Sequence, residues 1–182
     1  MPKKKLEITY EEMEHTLSDL QAYEAPLLRR VIEICYEAKE KGNNPFGCLL
    51  GDEKGNILME QGNEESSLHG DCTAHAEALL MRKASQVYSK DEMARLTMYS
   101  CAEPCAMCAG AMYWGNLGRL VYIARESALK QVTGDDPRNP TLALPVRAVY
   151  ACGQKSMEIV GPILELEPAF LTCHEGFWNP SK

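Results

Sequence analysis

Thr73-Ala74-His75-Ala76-Glu77 and Glu103-Pro104-Cys105-Ala106-Met107-Cys108 lie about thirty residues apart, and the rest of the chain reads outward from them. His75, Cys105 and Cys108 supply one imidazole and two thiols, a donor set that zinc takes in tetrahedral geometry. Three protein ligands leave a fourth position open for water, as in a catalytic site. Each piece falls where a helix is expected to begin. Thr73 is placed to cap a helix over residues 74–84, and Pro104 sits in the first turn of a helix over residues 105–114. Cysteines in a first turn meet the positive end of the helix dipole, which favours the metal-binding thiolate. Glu77 lies two residues beyond His75, roughly 200° around the axis at 3.6 residues per turn, so it is a neighbour of the metal rather than a fourth ligand. A carboxylate in that place can take a proton from water and hand it to a leaving group.

A lone Cys-x-x-Cys is more often half of a structural zinc knuckle or a redox pair, and a lone His-x-Glu carries almost no information. Here the second Cys-x-x-Cys of a zinc ribbon is absent, and the two pieces occur jointly in the right order. The pattern H-x-E followed by P-C-x-x-C is that of zinc nucleobase deaminases. Through residues 44–124 the sequence resembles the cytidine and deoxycytidylate deaminase superfamily, and within it the branch of guanine deaminases and tRNA adenosine deaminases. The resemblance takes in Asn44-Pro45-Phe46-Gly47, residues 73–77 and residues 102–114.

The resemblance implies one Zn2+ per chain on His75, Cys105 and Cys108, with Glu77 as the acid/base of a hydrolytic deamination. Guanine, converted to xanthine with release of ammonia, is the foremost substrate it suggests, and with it a place in purine metabolism. Other possibilities are a cytosine derivative, a nucleoside such as guanosine or cytidine, an aminotriazine and, less favoured, adenosine in tRNA. A catalytically inactive, zinc-stabilised binding subunit is a reading of a different class, and the intact Glu77 argues against it. A purely structural zinc site would need a fourth protein ligand.

By the same resemblance Phe46 stacks on the substrate ring, Asn63 hydrogen-bonds the base edge, and Ala76 belongs to the substrate-binding set. From the residues alone Phe46 is equally a core aromatic and Asn63 a turn residue. Trp114 either walls the pocket or packs in the core. Guanine deaminases carry an acidic residue about twenty-eight positions after the second zinc cysteine, where Asp136 stands, with Asp135 one register away. A carboxylate only accepts, so it selects an N–H-rich edge such as guanine's; read without the resemblance, residues 134–140 are a turn-rich surface loop. Phe177 and Trp178 are expected to cap the active site of their own or a partner subunit. Cys101 stands where serine or threonine is expected.

The chain of 182 residues, 45% of them hydrophobic, suits a single domain. Its parts are N-terminal helices in 1–43, a catalytic core in 44–124, and a specificity loop with a C-terminal cap in 125–182. Expected elements are a capping-box helix at Thr9 and Glu12, a helix from Pro26 to Gly42, and a hairpin of residues 46–50 and 57–60. Strands at 96–100, 119–124 and 148–151, an extended piece at 157–160 and a helix at 162–173 follow. Alternating strands and helices give an α/β sheet covered on both faces; the resemblance makes it a three-layer α/β/α cytidine deaminase-like fold with a mixed sheet of about five strands. The start of the chain is charged rather than apolar and no apolar run could span a membrane, so Cys35, Cys48, Cys72, Cys101, Cys152 and Cys173, the six of the eight cysteines outside the zinc set, read as reduced residues of a cytoplasmic protein. A net charge of −7, with Lys3-Lys4-Lys5 the only basic cluster, counts against a nucleic-acid partner. A small heterocycle is the expected ligand, and a homodimer is implied by resemblance.

Overall fold

A computed structural model describes residues 13–178. The helix expected at Thr9 and Glu12 and the Lys3-Lys4-Lys5 run lie outside the described residues. Helix α1 (Glu24–Glu40) carries Leu27, Leu28, Val31, Ile34, Cys35 and Ala38 at helical spacing, and all six are buried. That stripe is the face it lays on the sheet. Strands β1 (Gly47–Gly51) and β2 (Ile57–Gly62) form an antiparallel hairpin, whose turn is held by Asp52 Oδ1 accepting the Lys54 and Asn56 N–H groups, each at 2.9 Å. At Gly47 a Cβ would sit 2.7 Å from Ile34 Cγ2, so the missing side chain lets α1 settle against β1.

The chain continues through α2 (Ala76–Val87), α3 (Lys90–Met93), β3 (Thr97–Ala102), α4 (Ala106–Gly115) and β4 (Arg119–Ala124), then α5 (Glu126–Thr133), α6 (Val146–Ala151), β5 (Glu158–Val160) and α7 (Glu167–Cys173). The strands form one sheet in the order β2-β1-β3-β4-β5, antiparallel on both sides of β1 and parallel from β3 onward. Side chains alternate along β3: Tyr99 and Cys101 join a core with Leu28, Val31, Leu129 and Phe170, while Met98 joins a second core with Leu80, Met112 and Val146. Thus α1, α5 and α7 cover one face, and α2, α4 and α6 the other. This is the expected three-layer α/β/α arrangement with five strands. No helix among the described residues is long and apolar enough to cross a membrane.

The topology decides where a site can form. Because β1 runs against β3, its amino end lies beside the carboxyl ends of β2, β3 and β4, and the connections into α2, α4 and α5 leave from that same edge. In open α/β sheets this is where ligands are bound.

Three local expectations are corrected. Residues 148–151 belong to helix α6, not to a strand; Val146, Ala148 and Tyr150 are buried in alternation, which imitates a strand pattern, but Glu158–Val160 takes the fifth place in the sheet. Thr73 caps no helix. Its N–H and Oγ1 both donate to Asp71 Oδ1, at 2.9 and 2.7 Å, and His75 is the N-cap of α2. The last helix starts at Glu167, later than the expected residue 162.

One buried charge ties the first layer to the sheet. Glu24, fully buried at the start of α1, pairs with Arg119 of β4, accepts the Tyr99 hydroxyl of β3 at 2.9 Å and accepts the Gln21 N–H at 2.8 Å. Truncating Glu24 leaves the Arg119 guanidinium without its buried counter-charge. Glu24→Ala is expected to lower unfolding stability by about 3–5 kcal/mol, read from urea denaturation; a loss within about 0.5 kcal/mol, the range of ordinary surface substitutions, would show that the pair is not what holds α1.

Candidate active site

Two helices begin side by side at the binding edge of the sheet, and each brings metal-ligating side chains in its first turn. His75 is the N-cap of α2 and Cys105 the N-cap of α4, both with extended backbone, and Cys108 lies one turn into α4. Cys105 Sγ stands 3.6 Å from His75 Nδ1 and 3.7 Å from Cys108 Sγ, and Cys108 Sγ stands 3.8 Å from His75 Nδ1. A tetrahedral zinc with bonds of about 2.3 Å to sulfur and about 2.0–2.1 Å to nitrogen has ligand edges of roughly 3.5–3.8 Å. The three donors therefore fit this ion and leave a fourth corner without a protein ligand, and among the described residues no other cluster of metal-ligating side chains does so. Cys101 is not a competitor: it faces the opposite core, where its sulfur accepts the Gly47 N–H at 3.3 Å.

The protons of the ligand set are interdependent. Hydrogen bonds from Cys108 and His75 draw the Cys105 thiol down to about 4. The Cys105 thiolate and burial push the Cys108 thiol well up, and Cys105 holds the His75 imidazolium up to about 9 against burial. Backbone N–H groups of Cys108 and Ala78 also favour the thiolates of Cys105 and Cys108 respectively, so the helix starts contribute to holding the sulfurs.

Glu77, in the first turn of α2, is buried, with Oε2 3.6 Å from Cys108 Sγ. Burial raises its carboxyl pKa, and a hydrogen bond from Ser100 opposes that shift. Ser100 Oγ lies 2.7 Å from Glu77 Oε1 and 2.9 Å from the Ala102 carbonyl. One hydroxyl proton cannot serve both, so Ser100 can donate to an ionised Glu77 and turn to the carbonyl when Glu77 is protonated.

These groups open into a cavity of about 450 Å³ lined by His75, Glu77 and Cys105 together with Phe46, Asn63 and the loop residues 137–140 and Leu142. Asn63 is buried and its Oδ1 accepts the Glu65 N–H at 3.0 Å, which leaves its amide N–H groups for a ligand. Asn44 Nδ2 donates to Glu65 Oε2 at 3.1 Å, tying the two turns that flank Phe46. Glu103 and Glu126 also line the cavity; burial raises both, Glu126 to about 7 with a further contribution from Cys105.

Several expected substrate contacts are placed elsewhere. Asp136 is buried and outside the lining, because Arg138 engages it at both oxygens: Nε to Oδ1 at 3.0 Å and Nη2 to Oδ2 at 2.6 Å. Asp135 is exposed and also outside it. Ala76 is fully buried within α2. Trp114 is neither pocket wall nor core: it is 72% exposed beside a groove between α2 and α4. Phe177 and Trp178 do not line the cavity. Trp178 is buried behind Phe46, ring centroids 6.3 Å apart, and its Nε1 donates to His174 Nδ1 at 2.8 Å. Sequence reasoning missed Ser100, Glu126 and Arg138. Only Ser100 had a usable signal, since strand alternation puts it on the Met98 face of β3, towards α2.

Residues 23–124 match the profile of the cytidine and deoxycytidylate deaminase zinc-binding region. Over 162 residues the chain is 30% identical to a Schizosaccharomyces pombe protein named "Probable cytosine deaminase", spanning 89% of this chain and 96% of that protein. It is 33% identical over 104 residues to the tRNA-specific adenosine deaminase of Haemophilus influenzae, 57% of this chain and 60% of the relative. Among solved structures, a guanine deaminase from Nitrosomonas europaea shares the fold, with a TM-score of 0.67 at 18% identity over 94% of this chain and 95% of that one.

With the His75 and Cys108 pKa values both held up, each carries a proton at neutral pH that a metal must displace. Zinc loading near pH 7 is expected to release about two protons, measured by calorimetry in buffers of different ionisation enthalpy. Zinc affinity accordingly rises with pH; an affinity flat between about pH 6 and 8 would contradict this ligand set.

Proposed function

The chain belongs to the cytidine and deoxycytidylate deaminase family, and from that premise we propose that its substrate is a free amino-substituted nucleobase, hydrolysed with release of ammonia. The observation that carries this reading is the cavity of about 450 Å³ that surrounds Glu77, the Phe46 ring and the Asn63 amide and is bounded by residues 137–140 and Leu142. That volume is in the range of small-molecule sites. Its lining holds four carboxyl groups, Glu65, Glu77, Glu103 and Glu126, against one Arg, which supports a neutral base over a phosphate backbone.

Zinc, when held by His75, Cys105 and Cys108, supplies a Lewis acid that makes water nucleophilic near neutral pH. Phe46 offers a flat apolar face to the ring. Glu77 takes one proton from the attacking water at Oε2, the oxygen that Ser100 does not engage, and its raised pKa lets it hold that proton until the ring nitrogen receives it; it then takes the remaining proton of the added hydroxyl and passes it to the departing amine. The water oxygen ends on the amino-bearing carbon, the C–N bond breaks, and ammonia leaves. Ser100 follows the change by switching its single proton between Glu77 and the Ala102 carbonyl.

Between bases, a one-ring cytosine-type substrate is favoured over guanine. Asp136, the expected reader of guanine's N–H edge, is engaged by Arg138, and similarity over nearly the whole of a protein named for cytosine supports the smaller ring.

Ammonia release from cytosine, guanine, adenine and cytidine by the zinc-loaded protein tests this reading, with cytosine expected to turn over fastest. Turnover of a nucleoside and of no free base would overturn it. Glu77→Gln should keep its zinc and lose about 10²–10⁴-fold in kcat; activity within a few-fold of the parent would remove Glu77 from the acid/base role. In Ser100→Ala the hydrogen bond that lowers the Glu77 pKa is gone, so the acid limb of the kcat/KM profile should move to higher pH with recovery on the alkaline side. A uniform loss at every pH would mean that Ser100 is structural only.

A further inference from the structure

We propose that Arg138 is a specificity-determining residue which donates from its Nη1 to a carbonyl oxygen of the substrate ring, so that the enzyme takes an acceptor-bearing aminopyrimidinone such as cytosine in preference to guanine. The inference rests on the free-nucleobase reading and deepens it.

Arg138 is the one Lys or Arg lining the catalytic cavity among the described residues. Its guanidinium is held in place from several directions. Nε and Nη2 grip the Asp136 carboxylate, and Nη2 also donates to the Phe177 carbonyl at 2.9 Å. Cζ lies 5.1 Å from the Phe177 ring centroid and 5.2 Å from that of Trp178, within cation–π range of both. The Arg138 N–H donates to Asp136 Oδ1 at 2.9 Å, which fixes the ion pair to the loop backbone. A guanidinium carries five N–H donors. Those on Nε and Nη2 are committed, and Nη1 makes no hydrogen bond among the described residues, while the side chain remains 42% exposed. A planar fork held this rigidly loses little rotamer freedom when it binds a ligand.

The rest of the lining points the same way. Asn63 has committed its oxygen to the Glu65 N–H and offers only donors. Glu65 accepts from Asn44, and Glu103 accepts the Val146 N–H at 3.1 Å. Glu126 also lines the cavity, beside Thr141, and its carboxylate has further lone pairs for a ring N–H on the far side of the substrate carbonyl. Donors from Asn63 and Arg138 match the ring nitrogen next to the amino-bearing carbon of an aminopyrimidinone such as cytosine and the carbonyl beyond it, whereas in guanine the ring atom between the amino-bearing carbon and the carbonyl is N1–H, so one of those donors would meet a donor, the mismatch that polar sites reject strongly.

The test compares cytosine with 4-aminopyrimidine, which lacks the carbonyl. Dissociation constants are measured calorimetrically on zinc-loaded Glu77→Gln protein with and without Arg138→Gln. A direct contact predicts that Arg138→Gln weakens cytosine by about tenfold or more, as for a hydrogen bond from a charged group, and 4-aminopyrimidine by less than about threefold. Equal weakening of both ligands would make Arg138 a loop anchor only, and no weakening of either would remove it from the site; each result overturns the proposal. Where the single variant fails to fold, Asp136→Asn/Arg138→Gln removes the buried carboxylate's charge along with its partner and answers the same question. Cytosine turnover by the parent, measured alongside, separates the two levels. Turnover with the wrong Arg138 response sinks this inference alone, whereas a parent that neither binds nor deaminates any free base sinks the nucleobase reading beneath it.

Discussion

A divalent ion that accepts two sulfurs and one nitrogen requires them at three corners of a small tetrahedron, and no single helix or strand of this chain can supply that set. Two helix N-termini meeting at one edge of a sheet can. His75 and Cys105 both occupy N-cap positions, where the backbone is extended and the side chain turns back over the first helical turn, and Cys108 is one turn on. Everything upstream serves that convergence. Antiparallel β1 brings Phe46 to the edge from which β3 leaves, and parallel β4 makes room for α4 to cross back over the sheet.

The same convergence sets the electrostatics. Cys108 Sγ has the Cys105 sulfur at 3.7 Å and the Glu77 carboxylate at 3.6 Å, and the three cannot all be charged without a cation, so the ligand protons and the raised Glu77 are consequences of one crowded, partly dry space. Ser100 is the neutral member of this group. A hydroxyl that can turn between two acceptors accommodates either state of its neighbour without a charge of its own.

How far the residues alone disclose this molecule depends on the range of the interaction involved. His75, Glu77, Cys105 and Cys108 were legible because metal geometry and helix periodicity are local and strict. The α1 stripe and the hairpin were legible for the same reason. Thr73 misled because its hydroxyl chose Asp71, a competing local turn that propensity does not rank. Residues 148–151 misled because a six-residue helix burying alternate positions looks like a strand, and only the occupancy of the sheet by β5 decides. Asp136 and Arg138 lie two residues apart, yet which of them faces the cavity depends on the chain's far end, where Phe177 and Trp178 receive the guanidinium. No pattern within residues 134–140 encodes that.

The chain has two tryptophans, and the fold gives them opposite surroundings. Trp114 projects into solvent beside the groove between α2 and α4, while Trp178 is stacked on a neutral His174 whose pKa burial has pushed down to about 3, with its indole N–H bonded to that ring. Their emission should differ in colour and in access to a dissolved quencher such as iodide. Quenching Trp114 selectively leaves a signal from the indole packed between Phe46 and Arg138, an optical reporter native to the chain for any event that moves the substrate platform or the loop against it.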